Sequence, residues 1–183
     1  LIDALLTLAR SERGTTVSEF VDLATACEDS LDAAAVRIGD RHLKVTCALE
    51  PAELDGDRLL LERMVGNLID NATRHCDREG WIHVSSGRHD NSVFVEVVNS
   101  GAPIPSDVVP SLLEPFRRAN SRVGDSAGAG LGLAIVKAIA TSHRGTVALN
   151  GRIGGGLEAL VHLPTHETPL NRPANANGDE EPG

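Results

Sequence analysis

The chain has 183 residues, of which 41% are hydrophobic, 23% are charged and only 2% are aromatic. This length and apolar content suffice for one globular domain whose core is built from Leu, Val, Ile and Ala. The net charge of -9 predicts no broad basic surface, which disfavours non-specific binding to nucleic acids and direct contact with membranes.

The three cysteines are widely separated and form no CxxC pair, which argues against a disulfide framework and a zinc site. We find no signal peptide and no apolar run of transmembrane length, so we expect a cytoplasmic location. The chain begins within an apolar pattern at Leu1, and its only methionine is Met64. We therefore expect it to be a fragment of a longer protein.

The first part of the chain is mostly helical in pattern. Residues 1–14 carry apolar residues at helical spacing and predict the end of a helix whose beginning is absent. Residues 18–38 predict a second helix by the same spacing. Residues 42–49 alternate apolar and polar side chains, which predicts a strand, and the stretch EPAELDGD that follows predicts a turn.

The rest of the chain alternates helices with pairs of strands. In order, the sequence predicts a helix over 57–76 with Asp57 as N-cap, a hairpin of 81–87 and 92–99, a short helix within 106–116, a mobile loop from 117, a helix over 130–143, and a hairpin of 144–150 and 157–164. Two hairpins indicate a mostly antiparallel sheet. With the helices on one face, the fold class is α+β, a two-layer sandwich.

Glycines at 124, 128, 130 and 132 precede the helix at 130–143. A helix N-terminus offers unpaired N–H groups, and glycines let such a backbone approach phosphate oxygens closely. A flexible loop with a glycine-rich cap explains the same residues. The chain has no GxxxxGK[ST] P-loop, and the glycines do not follow a strand as a dinucleotide-binding motif would require.

Two further stretches combine amides with glycine or arginine. Asn99 and Gly101 end a predicted strand, where an amide can read the edge of a base, although a simple Asn-Ser-Gly turn fits equally well. Asn67 and Asn71 lie four residues apart, hence on one helix face, with Arg74 on a neighbouring stripe. Amide oxygens suit Mg²⁺ and arginine suits phosphate, whereas the alternative is an interhelical polar contact.

Each of these motifs alone is weak evidence, but their order along the chain resembles that of a known protein family. Five stretches resemble, in sequence order, motifs of the ATP-binding catalytic domain of bacterial sensor histidine kinases. They are NLIDNATRH, VNSGAPIP, LLEPFRR, GAGLGLAIVKAIATSHRGTV and GGGLEALVHLP. That family shares a superfamily with gyrase, heat-shock chaperone and mismatch-repair ATPases. The resemblance covers about residues 18–164. It implies a Bergerat fold over 15–164 with a flexible ATP lid at 117–129, preceded by the end of a dimerisation helix at 1–14. Residues 165–183 are polar and rich in Pro and Asn, which predicts a disordered tail.

The resemblance also implies roles for matching residues. Asn71 would coordinate Mg²⁺, Asn67 would support the metal and the phosphates of ATP, and Arg74 would contact phosphate. His75 would line the ribose or adenine, and Asn99 would accept from the adenine amino group. The remaining nucleotide contacts would come from Gly101, which lets adenine approach, from Phe116, which anchors the lid, and from the amides of Gly128, Gly130, Leu131 and Gly132.

Three positions depart from the family pattern. Asn99 stands where the family has aspartate, Ala102-Pro103 stands where Pro-Gly is common, and Glu158 aligns with a threonine that faces the adenine. No histidine occupies the setting of a phosphoacceptor. The γ-phosphate of ATP would therefore go to a histidine on a dimerisation domain, in the parent protein or on a separate chain, and then to a response regulator.

Other interpretations remain open. Asn99 and Glu158 motivate a degenerate ATP-binding sensor module that signals without phosphoryl transfer. A serine kinase acting on an anti-sigma partner and an ATP hydrolase belong to the same superfamily, but the hydrolases use a glutamate base where this chain has Asn67. The last alternative is an interaction module that binds no nucleotide.

Overall fold

The computed structural model describes residues 18–117 and 130–165. The predictions for 1–14, for most of the lid and for the tail after 165 lie outside the described residues. The elements, in chain order, are β1 (Glu19–Asp22), α1 (Leu23–Asp40), β2 (Lys44–Leu49), β3 (Glu53–Gly56), α2 (Arg58–His75), β4 (Trp81–His89), β5 (Ser92–Asn99), a 3-10 helix (Val109–Leu113), α3 (Gly132–Ser142), β6 (Thr146–Gly151) and β7 (Leu157–Pro164).

The main sheet has five strands in the order β2-β4-β5-β7-β6. β2 and β4 run parallel, because α2 lies between them in the chain, and the other three pairs are antiparallel. The helices cover one face of this sheet, and α2 packs between α1 and α3. This architecture confirms the predicted α+β two-layer sandwich with a mostly antiparallel sheet.

The core lies between α2 and the covered face of the sheet. Alternate residues of β5 point into it, namely Val93, Val95, Val97 and Asn99. α2 contributes its apolar stripe from the other side, made by Leu60, Leu61, Met64, Val65, Leu68, Ile69 and Ala72. The Asp57 side chain accepts from the Leu60 N–H at 3.1 Å, which confirms the predicted N-cap of this helix.

The start of the described chain differs from the prediction. Residues 19–22 form a strand instead of the beginning of a helix, and they pair antiparallel with β3, in the stretch predicted as a turn. Asp22 separates strand from helix, because its carboxylate accepts from the N–H groups of Ala24 and Ala52 at 3.0 and 2.9 Å. One side chain thereby caps α1 and fixes the chain that enters β3.

Two other elements differ from the prediction. β4 extends through Arg88 and His89, so the first hairpin turns at Asp90 and Asn91 only. The predicted short helix is a 3-10 helix of five residues. Among the described residues, no helix is both long enough and apolar enough to cross a membrane.

Candidate functional site

Asn67 lies where α2 meets the start of α3. Its Nδ2 donates to the carbonyl of Arg63, one turn earlier, at 2.8 Å. This bond leaves the amide oxygen facing α3: a methyl group placed on Gly132 would lie 3.6 Å from Oδ1 of Asn67. Asn71 follows one turn later on the same stripe, half-buried like Asn67. The two amides therefore form one polar stripe beside the N-terminus of α3.

The N-terminus of α3 has no side-chain cap. Leu131 is the N-cap residue and is buried, and its carbonyl accepts from the Ile135 N–H at 2.9 Å. An N-cap leucine has no side-chain oxygen with which to bond the N–H groups of the first turn. These amides and the positive end of the helix dipole are therefore available to an anion.

Phe116 and Gly130 join the two ends of the interval 118–129. The Phe116 N–H donates to the Gly130 carbonyl at 2.9 Å. Gly130 has φ +68°, and a methyl group there would lie 2.9 Å from the carbonyl oxygen of Arg117, so glycine is required on both counts. Phe116 itself has φ +64° and a side chain that is 64% exposed. Gly128 lies outside the described residues.

Asn99 and Gly101 form a corner at the end of β5. Asn99 is only 3% exposed, and its Nδ2 donates to the Ser100 carbonyl at 2.7 Å, which leaves its Oδ1 as an acceptor. A methyl group on Gly101 would lie 2.6 Å from the His75 carbonyl and 3.4 Å from Nδ2 of Asn99. Gly101 is therefore required for close approach between the strand end and the last turn of α2.

The turn between β6 and β7 closes this corner from the opposite side. Gly155 and Gly156 have φ of +87° and +95°, and a methyl group on either would overlap the carbonyl of Gly101 or Asn99 respectively. The Gly156 N–H donates to the Ala102 carbonyl at 3.2 Å. This close packing was not predicted from the sequence, although the three consecutive glycines at 154–156 indicate that backbone approaches backbone there.

Arg74 lies on α2 three residues after Asn71, and its side chain contacts Asp70 of the same helix. Its Nε is 2.7 Å from Oδ2 of Asp70, and Oδ1 of Asp70 is 2.9 Å from a terminal nitrogen of Arg37 on α1. Arg41, also on the α1 side, donates to the carbonyls of Arg74 and Cys76 and so caps the end of α2. Asp70, Arg37 and Arg41 were not among the predicted site residues, although the i,i+4 spacing of Asp70 and Arg74 was visible in the sequence.

Glu158 does not face the corner at Asn99. It pairs with Val98 and with Asn150, and its carboxylate accepts from Nδ2 of Asn150 at 3.0 Å on the uncovered face of the sheet. The residue that pairs with Asn99 is Leu157. The expectation that Glu158 aligns with an adenine-facing threonine is therefore wrong, because a shift of one residue along a strand exchanges the two faces.

Neither Cys27 nor Cys47 is activated as a nucleophile. Burial raises the pKa of Cys27 to about 12, and the neighbouring Cys47, Asp22 and Glu28 add to this effect. Burial and then Glu28 also raise the pKa of Cys47. Thiols with raised pKa hold their protons at neutral pH, so neither residue offers a thiolate for catalysis.

One helix joins the two polar regions. The Asn67 oxygen lies beside the start of α3, and the carbonyl of His75 lies close to Gly101. These residues are separated by about 12 Å along α2, at 1.5 Å per residue, a length on the scale of a nucleotide. The arrangement places the Asn99 acceptor at a buried corner and unpaired backbone N–H groups at the start of α3. The side-chain oxygens of Asn67 and Asn71 lie between them.

Comparison with known proteins identifies the family of this chain. Residues 56–167 match the family model described as Histidine kinase-, DNA gyrase B-, and HSP90-like ATPase. Sensor protein CutS of Streptomyces coelicolor is 35% identical over 166 residues, which cover 90% of this chain and 40% of CutS. The chain thus spans less than half of this curated relative.

Solved structures give the same fold. The mycobacterial sensor histidine kinase MprB superposes with a TM-score of 0.71 at 27% identity, over 81% of this chain and 97% of that one. Histidine kinase ThkA, solved in complex with response regulator protein TrrA, superposes with a TM-score of 0.68 at 22% identity, over 81% of this chain and 42% of that one.

Proposed function

Because the chain belongs to the histidine kinase-, DNA gyrase B-, and HSP90-like ATPase family, we propose that it is the ATP-binding catalytic domain of a two-component sensor histidine kinase. The match confirms the family predicted from the motifs, and the superposition on MprB confirms the predicted fold. The observation that supports the proposal best is that α2 contacts both the Asn99 corner and the start of α3.

The corner would hold the adenine. Oδ1 of Asn99 accepts from the exocyclic amino group, while Gly101 leaves room for the ring to lie against the strand end. Asn99 supplies a neutral acceptor where the family pattern has a carboxylate. The loss of that charge lowers affinity by about 1 kcal/mol, the difference between neutral and charge-assisted hydrogen bonds. His75, whose carbonyl contacts Gly101, would line the ribose.

The start of α3 would hold the phosphates. The N–H groups of Leu131 and Gly132 open the helix, and Gly130 keeps the preceding backbone free of side chain. Gly128 would extend this cradle, and Phe116 would hold the base of the lid. Arg74 would add a guanidinium, which pairs well with phosphate oxygens.

The residues present fit a magnesium ion. Asn67 directs an oxygen toward the start of α3, and Asn71 lies on the same stripe one turn away. Mg²⁺ is held by few protein oxygens plus water and phosphate, so Asn71 would be a ligand and Asn67 would support the phosphates. When bound, the ion would neutralise charge on the phosphate oxygens.

The reaction would be transfer of the γ-phosphoryl group. The bond between the γ-phosphorus and the bridging oxygen breaks, a bond to an imidazole nitrogen forms, the imidazole gives up a proton, and ADP leaves. The residues of this chain would contribute positioning and electrostatic stabilisation. The acceptor histidine would lie on a dimerisation domain, in the parent protein or on a separate chain.

The phosphoryl group would then pass to an aspartate of a response regulator. CutS is named as a sensor protein, and ThkA has been solved with a response regulator. We propose the same class of partner for this chain, and a cytoplasmic location for the domain itself.

A second candidate is a sensor module that binds ATP without transferring phosphate. The neutral Asn99, in the place of the family aspartate, favours it. Incubation with labelled ATP and a separate histidine-bearing domain separates the two functions. Label on the histidine supports the kinase, whereas binding without transfer supports the sensor.

Titration calorimetry with Mg·ATP tests the site itself. Asn71→Ala should abolish magnesium-dependent binding while leaving the melting temperature of the free protein nearly unchanged, because Asn71 is half-buried and outside the core. Asn150→Ala is the matched control, since it removes an amide from the uncovered face of the sheet. Equal Mg·ATP affinity in the two variants would contradict the metal assignment.

A further inference from the structure

Asp70 connects the candidate phosphate-binding arginine to a second helix. One carboxylate oxygen contacts Arg74 at 2.7 Å, and the other contacts Arg37 at 2.9 Å. Arg37 belongs to α1, while Asp70 and Arg74 belong to α2. The result is a chain of two ion pairs in which a single carboxylate holds two guanidinium groups.

The geometry of the Arg74 contact leaves part of the guanidinium available. The nearest nitrogen to Asp70 is Nε, at the side of the group. Because a guanidinium is planar and has donors along both its side and its end, a carboxylate at the Nε side leaves end-facing donors for another anion. A free arginine side chain would have to lose its rotamer freedom on binding phosphate, and this contact removes part of that freedom in advance.

We propose that Asp70 is a positioning residue for phosphate recognition, which holds Arg74 by its Nε side and is itself held in place by Arg37 of α1. The inference rests on the proposed function, in which Arg74 contacts the phosphates of ATP. It assigns α1 a part in nucleotide binding although none of the predicted nucleotide-binding residues lies on α1.

The ion pairs are too exposed to matter much for folding. The side chains of Arg37, Asp70 and Arg74 are 51%, 33% and 41% exposed. Ion pairs at such positions are screened by solvent and contribute little to stability. A change of affinity after substitution of Asp70 therefore reports on the phosphate site and not on the fold.

The experiment measures binding of Mg·ATP and of adenosine to the full 183-residue chain. Asp70→Asn keeps the shape of the side chain and removes its charge. We expect Mg·ATP to bind about three- to tenfold more weakly, which lies in the lower part of the range of energetic coupling between contacting residues, and adenosine to bind unchanged. Glu62→Gln is the control, because Glu62 is paired at 3.9 Å with Arg58 at the other end of the same helix.

A double-mutant cycle separates positioning from simple electrostatics. Removing a negative charge near the phosphates should by itself strengthen ATP binding, in any background. If Asp70 acts through Arg74, Asp70→Asn weakens ATP binding in the wild-type chain and loses that effect when Arg74→Gln is also present. Stronger or unchanged ATP binding by Asp70→Asn in the wild-type background would overturn the proposal, as would equal weakening of adenosine and ATP.

The same measurements separate failure of this inference from failure of the proposed function. A wild-type chain that binds no Mg·ATP, or an Arg74→Gln variant that binds it as well as the wild type, would refute the nucleotide site and the inference with it. Weakening by Arg74→Gln without any effect of Asp70→Asn would refute the inference alone.

Discussion

The two polar regions joined by α2 are built in different ways. The corner at Asn99 is made of backbone, because Gly101, Gly155 and Gly156 bring three segments together with no room for a side chain. The second region is made of side chains: the half-buried amides of Asn67 and Asn71, and the exposed guanidinium group of Arg74, which is paired with Asp70. Substitutions in the first region should damage the fold and binding together, whereas substitutions in the second should change binding of phosphate alone.

The largest effect is expected at Gly156. Gly156→Ala places a methyl group into the Asn99 carbonyl and forces φ of +95° on a residue with a side chain. We expect the free energy of unfolding to fall by about 3 kcal/mol or more, the upper range for backbone strain, together with loss of nucleotide binding. Urea unfolding followed by circular dichroism measures this.

Gly154→Ala provides the control for that variant. Gly154 belongs to the same turn, but a methyl group there would meet nothing within 4 Å. It should unfold within about 0.5 kcal/mol of the wild type, as most surface changes do. Similar unfolding of the two variants would show that the corner is not held by backbone contact.

A smaller and more selective effect is expected at Gly130. Gly130→Ala strains a residue at φ +68° and crowds the carbonyl of Arg117, at a cost of about 1–2 kcal/mol. Because Gly130 lies at the phosphate side, Mg·ATP should bind about tenfold more weakly while adenosine binds as before. Calorimetry with both ligands checks this, with Gly39→Ala on α1 as the control, since space is open there. Equal weakening of adenosine and Mg·ATP binding would contradict the assignment of Gly130 to the phosphate side of the site.

The smallest effect concerns pH and should involve neither region. Below about pH 9, the ordinary pKa of the thiol, Cys27 is protonated in both folded and unfolded chains. Between pH 9 and about 12 only the folded chain keeps this proton, so rising pH favours unfolding by at most about 1.4 kcal/mol per pH unit. The chain has no tyrosine, so few other groups titrate in this range.

Cys27→Ala should therefore flatten the decline of stability between pH 9 and 10, even though the loss of a buried side chain lowers stability at every pH. Urea unfolding at pH 8, 9 and 10 measures the two slopes. Parallel slopes for the variant and the wild type would show that Cys27 is not the group responsible.

Local signals in the sequence were enough for most of the fold. The Asp57 cap, the apolar stripe of α2 and the two hairpins follow from spacing over a few residues, and all are present. The pairing of β1 with β3 could not be predicted in this way. Both strands have only four residues, and they meet through contacts between segments more than 30 residues apart.

The candidate site could be proposed from the sequence as a set of motifs but not as an arrangement. Glu158 was aligned with a threonine that faces the adenine, but it lies on the uncovered face of the sheet, because a strand reverses its side chains at every residue. The contact of His75 with Gly101 and that of Asn67 with Gly132 depend on how α2 lies across the sheet. No local pattern specifies that placement.

The hydrogen bond between the Phe116 N–H and the Gly130 carbonyl has a practical consequence for protein engineering. It fastens together Phe116 and Gly130, the two positions that flank residues 117–129. A change in the number of residues between Phe116 and Gly130 should therefore affect the stability of the domain only through the entropy of chain closure. That cost grows by about 0.6 kcal/mol for each doubling of the number of residues. A fluorescent tag or a foreign peptide inserted between these two positions should therefore leave the sheet and helices intact.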